Sequence, residues 1–198
     1  RDLGTLLIYF FLTIGMFYAA TSNLMLTGIG LAGGCVGAVG AYHLFDHVKT
    51  RVDIWINPWS DTQNKGYQIV QALIAISSGG LFGLGLGLGT PRMIPYYHTD
   101  FIFAAICEEF GIIFAVGMLA LYCFLIMRGL RIALEASTAF HSLMALGATL
   151  MLAVQTFIIV GGVTKMIPLT GVTLPFASAG GSSLISCMAM IGILLGVS

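Results

Sequence analysis

The sequence predicts an all-α polytopic membrane protein with about five transmembrane helices and a long loop that carries an amphipathic or re-entrant helix. Three observations lead there. Of 198 residues, 58% are hydrophobic and only 8% are charged, where a soluble domain carries roughly 25% charged residues. Uncharged or nearly uncharged runs recur at about the 20-residue length a helix needs to cross the hydrocarbon core. Glycine and proline gather between those runs, where they interrupt regular backbone. The formal net charge is zero and the charges are thinly spread, so there is neither a basic footprint for nucleic acid nor an acidic tail.

Residues 3–20 form an uncharged run just long enough to span, Thr21-Ser22-Asn23 makes a turn, and residues 24–45 form the second span. Residues 46–66 hold six of the sixteen charged residues (8 basic plus 8 acidic) together with Trp55, Pro58 and Trp59. That mixture predicts a loop with interfacial aromatics. Residues 67–89 are apolar enough to cross, yet six glycines fall between 79 and 89, each costing a helix about 1 kcal/mol relative to alanine. The pattern therefore predicts a helix over 67–78 and an irregular segment over 79–99 leaning on the bundle, since irregular backbone survives at membrane depth only against protein or a watery cavity. The remaining spans are read over 101–127, 139–163 and 183–198, with residues 46–100 as the long loop before the third. The chain opens on Arg1-Asp2-Leu3 and closes within an apolar run, which reads as part of a longer polytopic protein.

Arg128 and Arg131 fall in a short loop after the third span, which the positive-inside rule makes cytoplasmic. Asp100 and residues 164–182 are then extracytoplasmic. The same assignment leaves Lys49, Arg51 and Lys65 outside unless residues 67–89 cross, and these residues alone leave both topologies open.

Several motifs dissolve in context. Gly28, Gly30 and Gly33 spell G-x-G-x-x-G, with Asp53 at the distance a dinucleotide fingerprint asks for, but they sit in an uncharged span with no strand before them. Gly30-xxx-Gly34 and Gly33-xxx-Gly37 instead predict close helix packing. Ser178 fails as a nucleophile elbow because Phe176 takes the first glycine's place. Cys35, Cys107, Cys123 and Cys187 lie singly in apolar runs and read as small buried hydrophobes, not disulfides or zinc ligands. His43 and His47, read as sharing a helix face, could hold a metal with Asp46; a helix end at the interface explains them equally, and no metal site is assigned.

Three carboxylates at the start of the third span carry more weight. Asp100 suits an N-cap that complements the positive end of a helix. Glu108 and Glu109 lie deeper, and carboxylates at such depth face a cavity or a partner. At 100° per residue Glu108 falls about 80° around the helix from Asp100 and Glu109 roughly opposite. That makes Glu108 the companion of Asp100 and Glu109 the partner of another helix. His98 either orients Asp100, contacts an anionic ligand or simply sits at the interface. In residues 161–183, Pro168, Gly171, Pro175, Gly180 and Gly181 forbid a continuous helix. Such broken backbone is either a plain connection or an anion-binding surface to which Lys165 adds charge.

These residues form an ordered set: Asp2-Leu3-Gly4-Thr5, Arg51 with Asn57-Pro58-Trp59, Gly66-Tyr67-Gln68, Ser78 to Gly83, His98-Thr99-Asp100-Phe101, Glu108-Glu109, Ile167 to Gly171, Leu174-Pro175-Phe176, and Gly180 to Ser183. The set resembles the SEDS (RodA/FtsW/SpoVE) family over nearly the whole chain. The resemblance implies a roughly ten-helix bundle in the bacterial cytoplasmic (inner) membrane, of which this chain is the C-terminal half. It implies a peptidoglycan glycosyltransferase polymerising lipid II on the outer face for elongation, division or sporulation. Its partners would be a class B penicillin-binding protein and other proteins of the elongation or division complex. The loop before the third span becomes extracytoplasmic, and the family's essential aspartate maps to Asp100.

Under that resemblance Asp100 is the general base on the acceptor 4-hydroxyl as it attacks the donor C1 with inversion and undecaprenyl pyrophosphate leaves. Glu108, His98 and Thr99 support it, and Arg51, Arg92, Lys165, Gln68, Ser182 and Ser183 are candidates to bind sugar or pyrophosphate. A divalent cation, Mg or Mn, is an optional companion, and no other cofactor is implied. The glycine-rich segment 79–89 with neighbouring spans would supply the groove for the polyprenyl tail. Ala179 departs from the family's usual tyrosine in S-Y-G-G, which bears on that loop's contacts. With the N-terminal half of such a protein outside this chain, the chain alone is expected to be inactive. Two rival readings are a flippase for the lipid-linked substrate, which broken helices and intramembrane carboxylates also suit, and a noncatalytic scaffold of a wall-synthesis complex.

Overall fold

The computed structural model describes residues 3–62, 64 and 66–198, so Asp2 and Lys65 of the sequence reading lie outside the described residues. Among the described residues all regular structure is helical: α1 (Leu3–Thr21), α2 (Leu24–Leu44), α3 (Asp46–Ile56), α4 (Tyr67–Gly79), α5 (Ile102–Glu135), α6 (Ala139–Val163) and α7 (Gly181–Val197), with short 3₁₀ turns at Pro58–Asp61 and Pro91–Met93. Four of these, α1, α2, α5 and α6, are long and apolar enough to cross a membrane, and α7 is a shorter apolar helix of 17 residues. The protein is a multi-pass membrane protein.

The ends are set by local chemistry. Ser22 turns the chain with φ 52°, and the Asn23 side chain caps α2 by accepting from Leu26 N at 3.1 Å. Thr138 does the same for α6, accepting from His141 N at 3.2 Å. Each cap satisfies a backbone donor that a helix start otherwise leaves without a partner.

α6 is the central helix. It packs on α1, α5 and α7, and 44% of its most apolar stretch is buried against 6% in α2. Leu152, Ile158, Ile159 and Val163 are among its fully buried side chains. α1 and α2 turn large apolar residues such as Leu6, Met25 and Leu44 outward, the arrangement expected where the surrounding solvent is lipid. Gly30 and Gly34 bring α2 onto Ile14 and Phe10 of α1, as their spacing predicts, but Gly33 and Gly37 face open space and pack against nothing. Cys35 and Cys123 are exposed, so only Cys107 and Cys187 fit the expectation of buried hydrophobes; all four are free thiols.

Three further expectations need correcting. The charged stretch expected as loop contains helix α3, because Phe45 is extended (φ −123°, ψ 111°) and a new helix starts at Asp46. The same break puts His43 and His47 on different helices, so they do not share a face. Arg128 and Arg131 lie in helix, not loop: α5 continues to Glu135, with Arg131 and Glu135 forming an exposed i,i+4 pair at 3.8 Å. Arginine and glutamate are good helix formers, so charge ends an apolar run without ending a helix.

The helix α5 is not continuous either. At Gly111 the backbone swings to φ 82°, ψ 172°, and the segment after α4 fills the break. Ile112 N and Ile113 N, which would bond Glu108 O and Glu109 O in an unbroken helix, donate instead to Gly80 O (3.0 Å) and Leu81 O (3.3 Å). The abandoned carbonyls of Glu108 and Glu109 accept from Leu84 N (2.9 Å) and Gly85 N (3.0 Å). Four backbone groups thus exchange partners and none is orphaned, as a low-dielectric setting demands. Only glycine permits so close a crossing: a Cβ on Gly79 would run into the Cys107 carbonyl, and one on Gly83 into the Glu109 carbonyl. The glycine-rich segment expected to lean on the bundle is stitched into it.

Candidate active site

Asp100 lies in a run of turns, one residue before the buried Phe101 and two before α5. The N-cap position of α5 falls on Phe101 and has no side-chain cap bond, so the capping role open to Asp100 in the sequence is not the one it plays. What holds it is the broken segment after α6. Ser178 Oγ donates to Thr99 O at 2.7 Å and accepts from Leu174 N at 2.7 Å, while Ala179 N donates to His98 O at 2.8 Å. Tyr122, from α5, donates its hydroxyl to Pro175 O. The backbone just before Asp100 is therefore fixed from a segment more than seventy residues away in sequence.

Arg51 in turn fixes the segment after α6. On α3 it stands four residues before Trp55, so both share one face. Arg51 Nη1 donates to Leu169 O and Thr170 O, each at 3.0 Å, and Trp55 Nε1 donates to Lys165 O at 3.0 Å. Gly171, with φ 74°, comes so close that a Cβ on it would lie 3.5 Å from Asp100 Oδ2. Burial pushes the Asp100 carboxyl above its ordinary value; the Thr99 hydroxyl, the Arg51 guanidinium and His98 pull the other way without overcoming it. A carboxylate so placed is held ready to take a proton, short of being locked into a salt bridge.

Beside this group lies a cavity of about 350 Å³ between α1, α6 and the start of α7. Gly171 lines it, as do Ser182, Ser183 and Gln155. Ser183 and Thr173 share a hydroxyl contact at 2.9 Å, and Gln155 Nε2 donates to Thr173 O at 2.9 Å. The polar wall is thus pre-set by contacts among its own members.

The sequence-predicted residues divide. Asp100, Thr99, His98 and Arg51 come together, and Ser182 and Ser183 line the adjoining cavity. Lys165 turns elsewhere: its Nζ donates to Ile56 O at 3.3 Å, clasping the end of α3. Arg92 is exposed in the Pro91–Met93 turn and Gln68 is half-buried in the first turn of α4. Glu108, expected as the companion of Asp100, is buried on the α4 side, where Oε1 accepts from Thr90 N at 3.0 Å. Glu109 was expected to meet another helix and instead accepts from Gly87 N at 3.2 Å in the glycine-rich segment. Both reversals follow from the break at Gly111, which brings that segment against this stretch of α5. Among the described residues no group of three or more His, Cys, Asp and Glu side chains could hold a metal ion. The fixed charge that Asp100 feels is the Arg51 guanidinium, so this donor set does not fit a protein-held Mg or Mn.

Three contributors escaped the sequence reading. Ser178 was weighed only as a nucleophile, and Thr170 only within the broken segment. Gln155 carried a usable signal, as a lone amide in an otherwise apolar span.

The family model for FtsW, RodA and SpoVE, described as cell cycle protein, matches residues 1–198, and the chain belongs to that family. It is similar to the peptidoglycan glycosyltransferase RodA of Mycobacterium tuberculosis, 43% identical over 198 residues, all of this chain and 42% of the relative. Stage V sporulation protein E of Bacillus subtilis is 41% identical over 200 residues, again all of this chain and 54% of the relative. The probable peptidoglycan glycosyltransferase FtsW of Geobacter metallireducens is 42% identical over 155 residues, 77% of this chain and 41% of the relative. Among solved structures, one described as "Structural coordination of polymerization and crosslinking by a peptidoglycan synthase complex" aligns with a TM-score of 0.80 at 28% identity, covering 98% of this chain and 55% of that one. The chain spans about half the length of the curated relatives it matches.

Proposed function

We propose that the whole protein of which this chain is part polymerises lipid II into glycan strands, with Asp100 as general base. The observation that carries the reading is the Asp100 carboxylate: half-buried, with no capping bond to α5, beside Arg51, and against the Gly171 wall of a cavity that carries Gln155, Thr173, Ser182 and Ser183 among apolar side chains. A sugar hydroxyl is a weak nucleophile, and a positioned base contributes typically 10²- to 10⁴-fold. In this reading the acceptor 4-hydroxyl gives its proton to Asp100 and attacks the donor C1, the glycosidic bond forms with inversion, and the pyrophosphate leaves with the bonding electron pair. Arg51 is the described cation nearest in influence to Asp100 and would offset charge developing nearby. Arg92, Lys165 and Gln68 drop to peripheral candidates, and Ser182 and Ser183 would orient the sugars from the cavity wall. The site would face the outside of the bacterial cytoplasmic membrane. A class B penicillin-binding protein and other elongation or division proteins would be its partners; the relatives' names and the synthase complex support that setting.

A flippase needs broken helices whose freed backbone ends bind cargo or open a path. At Gly111 those ends are already sealed by Gly80, Leu81, Leu84 and Gly85, which favours polymerisation. The discriminating experiment supplies lipid II to the whole protein in detergent, where no bilayer exists to cross. Long glycan chains are expected, and their absence with translocation intact in vesicles would overturn the enzyme reading.

A further inference from the structure

On the face of α5 that meets α4 and the 84–94 segment lies a second cavity, of about 170 Å³, with Glu108 in its wall. Glu108 is only 4% exposed. Its Oε1 is used by Thr90, but Oε2 is buried with no hydrogen-bond partner. A carboxylate in that state costs stability unless something completes it. The rest of the wall shows what could. Gln71, Ser78 and Thr90 add neutral polar groups, and among the described residues no cationic side chain lines the cavity. The site thus asks for one positive charge carrying several hydrogen-bond donors. Its remaining walls are apolar, too poor in oxygens to replace the hydration shell of a metal ion, which needs about six or more ligands. An ammonium group needs about three acceptors, and the Glu108 carboxylate, Gln71, Ser78 and Thr90 in the same wall are the groups that could offer them. At the rim, Ile74, Leu84 and Met93 are all exposed and apolar, and would meet whatever tail follows the charge.

We infer that this cavity binds the primary ammonium headgroup of a membrane lipid, with Glu108 as its counter-ion. The site is separate from Asp100, and its failure leaves the polymerase reading untouched. The occupant joins α4, the glycine-rich segment and α5, so bound lipid stabilises the crossing at Gly111.

The test uses the whole protein in nanodiscs of phosphatidylethanolamine or of phosphatidylcholine, whose trimethylated head lacks N–H donors, with retained lipid read by native mass spectrometry. Phosphatidylethanolamine is expected to be retained preferentially by about tenfold, the value of a charge-assisted hydrogen bond. Glu108→Gln keeps an acceptor for Thr90 and loses the charge, so the preference should vanish. Ser78→Leu fills the cavity from its rim without touching the Thr90 bond and should abolish it as well, which covers a Glu108 variant that fails to fold. Equal retention of the two lipids, a preference surviving Ser78→Leu, or stabilisation by sodium ions without lipid discrimination would overturn the proposal.

Discussion

Asp100 shows how much of a site one residue's number can convey and how much depends on its surroundings. Its position before an apolar run was legible, but capping and catalysis predicted the same residue, and only the absent cap bond at Phe101 separates them. Ser178 was misread because its local motif was tested for nucleophilic chemistry, whereas its work is a pair of long-range hydrogen bonds that no spacing encodes. Because burial raises the Asp100 carboxyl, the folded protein binds its proton more tightly than the unfolded chain. The stability from this group is full at low pH and falls as pH rises through the folded value. Asp100→Asn removes that penalty, so at neutral pH its melting temperature should equal or exceed wild type while activity is lost; thermal denaturation in detergent checks it. The acid limb of the polymerisation rate against pH should likewise sit above the ordinary aspartate range, because the base must be ionised. Ser178→Ala strands the Leu174 N–H and the Thr99 carbonyl together, and should cost about 1–3 kcal/mol of stability with a drop in rate that Ser178→Thr partly restores.

At the scale of elements, the apolar helices were legible from run length, α6 to the residue. Two of the errors share one cause, that charge was taken for loop. α3 and the last turns of α5 are charged yet helical, and their function lies in which face the side chains share, as Arg51 and Trp55 show. The break at Gly111 was invisible for a different reason: a single glycine in an apolar run is compatible with an intact helix, and the break exists only because Gly80 to Gly85 supply replacement hydrogen bonds. Gly83→Ala introduces a Cβ at φ 81° against the Glu109 carbonyl. It should destabilise by at least about 1–3 kcal/mol, whereas Gly37→Ala, with open space around it, should be neutral or stabilising. Comparing the two in one thermal assay separates the stitched crossing from mere glycine content.

At the scale of the molecule, an all-helical membrane fold follows from composition and the length of the apolar runs, while the site depends on three segments far apart in sequence: α3, the turns before α5, and the turns between α6 and α7. None is a motif by itself, which is why the order of short matches along the chain carried more information than any one of them. Sidedness is checked with Ala179→Cys in the whole protein, since residue 179 is exposed: a membrane-impermeant maleimide should label it from outside the cell and not from the cytoplasmic face. The most direct test of the central claim is the initial rate of lipid II polymerisation by the whole protein, wild type against Asp100→Asn, with folding verified by melting temperature. The variant is expected to lose about 10²-fold or more; a folded Asp100→Asn protein that extends glycan strands at the wild-type rate would contradict the assignment of Asp100 as the base.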